Sequence, residues 1–113
     1  MYLKNTTKKT LIAKNAKVCK SIFSKTFGLM FSKKKSLIFI FNKEKIIPLH
    51  MFFVFYPIEV SFLNKNKIVV EIKENFMPFS CYSPKNKAQY IIELPKGTIK
   101  KSKTAIGDNI EFQ

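Results

Sequence analysis

The chain has no arginine, no tryptophan, 1 histidine, 2 cysteines and only 3 glycines in 113 residues. Each shortage excludes something. Every one of the 21 basic side chains is a lysine, so the planar guanidinium fork that reads base edges or clamps phosphate with two parallel bonds is missing. A lone His50 provides no histidine pair for zinc. Cys19 and Cys81 lie far apart, with no CxxC spacing and no histidine near them in sequence, so no metal centre, redox motif, His-Cys or Ser-His-Asp arrangement announces itself. The expectation is therefore no cofactor and no metal, with the cysteines as partly buried thiols and not a disulfide. Few glycines, beside 46% apolar and 14% aromatic residues, exclude a low-complexity or mostly disordered chain.

Acids are scarce too, 7 against 21 lysines, which leaves a formal net charge of +14. The first 35 residues hold ten lysines and no acid, so the positive field is concentrated in the N-terminal third. Such a field attracts nucleic acid or other polyanions without sequence preference. Biased residue usage, with lysines that only solvate the surface, is the competing explanation. The length fits one domain over residues 1–113 that needs no disulfide, with residues 1–9 read as a frayed or edge segment. Lysine and asparagine break every apolar run of the N-terminus, so no signal peptide is read there and a cytoplasmic location is expected.

The most apolar stretch is HMFFVFYPIEVSFL, His50 to Leu63. A membrane span needs about 20 apolar residues, and this region is interrupted by Pro48, His50, Pro57 and Glu59. Downstream of Pro57 it alternates, with Ile58, Val60 and Phe62 on one face and Glu59 and Ser61 on the other, which is strand periodicity. NKNK then forms a hairpin loop, and Ile68, Val70 and Ile72 mark the return strand. TLIAKNAKV, LIFIF, His50 to Phe55, AQYIIELP and NIEF read as further strands, with NKEK ending the LIFIF strand. From Ser21, Phe23, Phe27, Met30 and Phe31 form one stripe of a short helix, and Gly28 inside it permits close approach. Glu74 to Lys87 is a long connection, KGTIKKSKTAIGD carries a turn or helical loop, and Gly107-Asp108 is a tight turn. The sum is a mainly β (α+β) fold, a small antiparallel β-sandwich or half-barrel with one or two short helices.

TFGLMF, LIFIF, HMFFVFYPIEVSFL, VVEIKENFMPF, YIIELPKGTI and IGDNIEF occur in that order over nearly all of the chain after residue 25. In order and spacing they resemble domain of unknown function family 192, especially its archaeal branch. Glu59 stands where the family usually has Asp, and Phe79 where archaeal members often have Trp. The resemblance implies a compact, mainly β domain. The family has no established activity, so no catalytic residue is carried over.

Three functions compete on the residues themselves. The first is a non-enzymatic ligand- or protein-binding module with a groove near Tyr56, Glu59, Tyr82 and Tyr90, completed by Phe79 and roofed by the Glu74–Lys87 connection. The second is nonspecific nucleic-acid or polyanion binding through Lys33, Lys34 and Lys35 and through Lys100, Lys101 and Lys103. The third is a hydrolase-like carboxylate pair, Glu59 and Glu93. No membrane partner is expected. A monomer or homodimer is, the latter by pairing of TLIAKNAKV with its own copy.

Overall fold

The IEVSFL segment sets the architecture. In the structure, a computed structural model that describes residues 1–19, 36–51 and 56–112, it forms a strand whose six residues are all buried, although only alternate ones are apolar in pattern. Burial on both faces requires a cover on each side.

Among the described residues the strands are β1 (Leu3–Asn5), β2 (Thr10–Ala13), β3 (Lys17–Cys19), β4 (Leu37–Lys45), β5 (Leu49–His50), β6 (Ile58–Leu63), β7 (Val69–Phe76), β8 (Cys81–Tyr82), β9 (Ala88–Pro95) and β10 (Ile110–Phe112), and the helix is α1 (Thr98–Ser102). A central sheet has the order β3-β4-β9-β6-β7, a second has the order β10-β1-β2, and β5 pairs with β8 alone. All pairings are antiparallel except β3 with β4. The described fold is thus mainly β, with no closed barrel.

Each face of the central sheet carries its own core. One gathers Leu37, Phe39, Leu49, Met51, Ile58, Val60, Phe62, Phe76 and Ile91, with Tyr56 and Tyr82 packed against it. The opposite core gathers Leu3, Ile38, Leu63, Val69, Ile92, Leu94, Ile99 and Ile110, closed by the β10-β1-β2 sheet and α1. Burial of each of these large side chains contributes about 1.5 to 3 kcal/mol. Strands β4, β6 and β9 supply residues to both.

The hairpin, the AQYIIELP strand and the final NIEF strand stand where the pattern puts them. Gly107 takes φ 97, the left-handed conformation its turn requires. Four expectations differ from the structure. Tyr2–Lys9 contains β1, the middle strand of its sheet, with Leu3 and Asn5 buried; its partner β10 lies at the other end of the sequence, so local pattern carries no trace of the pairing. TLIAKNAKV is two strands in different sheets, separated by a bend. LIFIF continues through NKEK, because β9 pairs with it as far as Lys45 across an irregularity that lets polar residues extend the strand. The Glu74–Lys87 connection begins inside β7 and contains β8. The Phe23–Phe31 helix stripe and residues 52–55 of the expected His50–Phe55 strand lie outside the described residues.

Candidate functional site

Of the seven acids, Glu74 and Glu111 are exposed, whereas four, Glu59, Glu71, Glu93 and Asp108, are buried. Where those acids go explains the site. Glu59 leaves β6 toward α1 and accepts the backbone N–H groups of Gly97 at 3.0 Å and Ile99 at 2.8 Å, satisfying two donors that a helix start leaves open. Thr10 Oγ1 on β2 donates to the Ser102 carbonyl at 2.7 Å and fastens the other end of the helix to the small sheet. Asp108 accepts from Asn5 Nδ2, Lys8 Nζ and the Ala105 N–H, and so ties β1 to the turn before β10. Burial pushes its carboxyl up, but the hydrogen bonds from Asn5, Lys8 and Ala105 and the Lys8 charge outweigh this and hold it below the ordinary range.

Between the fastened elements runs a groove. Its larger part, 430 Å³, is lined by Leu11, Ile12, Ala13, Lys14, Thr98, Lys101 and Ser102. A 280 Å³ part shares Ile12, Ala13, Lys14 and Thr98 with it and reaches Ser36 and Pro95. A third depression, 390 Å³, continues from Leu11 to Lys4, Lys9 and Thr10. The linings contain four lysines, all exposed, and no acid. Hydroxyls of Thr98 and Thr10 are used in backbone bonds, and the charge that the linings offer a ligand is that of lysine.

The family profile DUF192, described as "Uncharacterized ACR, COG1430", matches residues 3–112. The chain belongs to DUF192. A UPF0127 protein of Thermococcus sibiricus is 35% identical over 113 residues, 96% of this chain and 73% of that one. A UPF0127 protein of Pyrococcus horikoshii is 36% identical over 99 residues, 85% of each. Among solved structures, a candidate transcription regulator of Sinorhizobium meliloti 1021 matches with TM-score 0.82 and 20% identity over 97% of this chain and 89% of that one. At that identity the likeness shows the fold alone.

The sequence-predicted aromatic groove is divided by the central sheet of this DUF192 chain. Tyr56 and Tyr82 pack on one core, whereas Tyr90 packs on the other, its ring 5.5 Å from Phe112, and Glu59 turns to α1 on that same side. Periodicity along one strand cannot show this, because the division depends on which sheet covers each face. The Glu59–Glu93 pair fails for a related reason. Glu93 stands opposite Val60 and Leu37, whose side chains belong to the first core, while Glu59 is one residue away from Val60 in β6 and points to the second. The two carboxylates occupy opposite faces. Lys100, Lys101 and Lys103 are all exposed, and Lys101 lines the groove. Lys33, Lys34 and Lys35 lie outside the described residues.

Glu71 anchors the Glu74–Lys87 connection, accepting the Tyr82 hydroxyl, the backbone N–H groups of Lys85 and Asn86, and Asn86 Nδ2. Burial raises its carboxyl, but these bonds prevail and lower it. Tyr82 shows the reverse: its bond to Glu71, then burial and the Glu71 charge, push the phenol up to about 12. A phenol raised in the folded state stabilises fully below its unfolded value near 10 and loses that contribution as pH rises through about 12. We expect ultraviolet titration to show one tyrosine ionising near the top of the range, absent in Tyr82→Phe, at a stability cost of about 1 kcal/mol.

Sequence reasoning missed one pair. His50 and Cys81 stand directly opposite each other on the β5–β8 ladder, with His50 Nδ1 at 3.1 Å from Cys81 Sγ. Only strand pairing brings them together.

Proposed function

We propose that the protein is a non-catalytic binding module that holds the phosphodiester backbone of nucleic acid along the β2–α1 groove. The carrying observation is that Lys4, Lys9, Lys14 and Lys101 line depressions that share residues of β2, with no acid in any of the linings. Lys100 and Lys103 extend the charge beyond the groove on the same helix and its C-cap. Lysine supplies point charges without a fork, so recognition is of backbone and not of sequence.

The test is binding of a mixed-sequence duplex by fluorescence anisotropy across a salt series. Wild type should show log affinity falling linearly with log salt. Lys14→Gln/Lys101→Gln should bind at least about tenfold more weakly near 0.1 M salt, with a slope shallower by about 1.8, the value for two lost phosphate contacts. Lys85→Gln/Lys87→Gln, which removes the same charge from exposed positions in the connection, should retain most of the affinity. Equal losses in both double variants, or retention no greater than that of a charge-matched unrelated protein, would overturn the proposal.

A further inference from the structure

The β5–β8 ladder carries a second chemistry, independent of the lysine groove. Its strands are two residues each, and the ladder is held in register by Met51 N–H donating to the Ser80 carbonyl at 2.9 Å and Phe79 N–H donating to the Met51 carbonyl at 2.7 Å. That register places a nucleophile and a base side by side: Cys81 Sγ and His50 Nδ1 are 3.1 Å apart, and both residues are exposed. The other cysteine, Cys19, is buried among core side chains and has no such access. Two and four residues before Cys81, Phe79 is 60% and Met77 48% exposed, large apolar side chains close in sequence to the thiol. Phe79 holds φ 61, a conformation rarely taken by a bulky residue.

We propose that Cys81 and His50 form a nucleophilic thiol–imidazole pair that undergoes exchange with small disulfides bearing an apolar or aromatic group. With the ring proton on Nε2, Nδ1 accepts the Cys81 S–H proton. The thiolate attacks one sulfur of R–S–S–R, a new S–S bond forms to Cys81, and the original S–S bond breaks. The departing thiolate takes the proton back from the imidazolium and leaves as RSH. The Cys81 sulfur is oxidised, the departing sulfur is reduced, and no other reactant is required. A thiol excess reverses the step.

The probe is 2,2′-dithiodipyridine, chosen because it is uncharged and the +14 field of the chain cannot concentrate it. In the native full-length chain one thiol should react fast, and Cys81→Ser should abolish that phase while Cys19 remains slow. His50→Gln should slow the fast phase about tenfold near neutral pH. Loss of the fold would slow Cys81 toward the rate of an unstructured peptide, so the comparison is made on a His50→Gln chain whose far-ultraviolet circular dichroism matches wild type. A His50→Gln chain reacting at the wild-type rate would overturn the proposal. So would a wild-type Cys81 no faster than the thiol of an unstructured peptide carrying residues 77–85.

Discussion

Glu59→Ala should destabilise the fold by about 3 kcal/mol, the sum of two charge-assisted hydrogen bonds lost and two buried N–H groups left without acceptors. The midpoint of thermal unfolding should fall by about 12 °C for a chain of this size. The effect is large because Glu59 is buried and its carboxylate is the anchor for Gly97 and Ile99, with Ile99 itself a core residue. Gly97 sits at φ 93, where a side chain is strained, so the turn that presents its N–H to Glu59 is already committed to this geometry. Glu59→Gln keeps one acceptor oxygen and should lose about half as much. Amide exchange at Gly97 and Ile99, measured in the alanine variant, should rise far more than exchange in β9. Unchanged stability would mean that α1 is held by its apolar contacts alone, and the groove it borders would not depend on Glu59.

Asp108→Ala should cost a comparable amount, about 3 kcal/mol, since it strips acceptors from buried Asn5 Nδ2, from the Ala105 N–H and from Lys8. Lys8 is partly exposed and regains water, which limits the loss. This carboxyl is lowered in the folded state, and so is that of Glu71. A depressed folded value contributes stability above the unfolded value near 3.9 to 4.3 and loses it as pH falls through the folded one. Chemical denaturation at a series of pH values should therefore show wild-type stability dropping steeply below about pH 4. Asp108→Asn should be less stable at neutral pH and flatter in that acid range. Parallel curves for the two proteins would contradict the assignment.

How much of this was legible in the sequence depends on how far apart the partners lie. The β6–β7 hairpin follows from alternation on both sides of NKNK, four residues of local information. The role of Asp108 in its own turn is equally local. Its bonds to Asn5 and Lys8 are not, because about a hundred residues separate them. Alternation places Glu59 and Ser61 on one face of β6 but carries no sign of what covers that face. Here that face receives α1 and the small sheet, so Glu59 becomes a helix anchor. Tyr90 was grouped with Tyr56 and Tyr82 for its chemistry, but the central sheet stands between them. Exposed Lys101 was legible as charge, whereas its pairing with Lys14 across a groove required β2 and α1 to be placed together. His50 and Cys81 were legible as residues and invisible as a pair.

A lysine groove and a merely charged surface differ in where a polyanion sits. The most direct measurement is a chemical-shift map of backbone amides and lysine side chains, recorded while a short duplex is titrated into the isotope-labelled protein at moderate salt. Shifts confined to Thr10–Lys14 and Thr98–Lys103, with Lys4 and Lys9 following and Lys85 and Lys87 unmoved, are the predicted result. Small shifts spread evenly over every exposed lysine would show a charged surface without a site, and would contradict it.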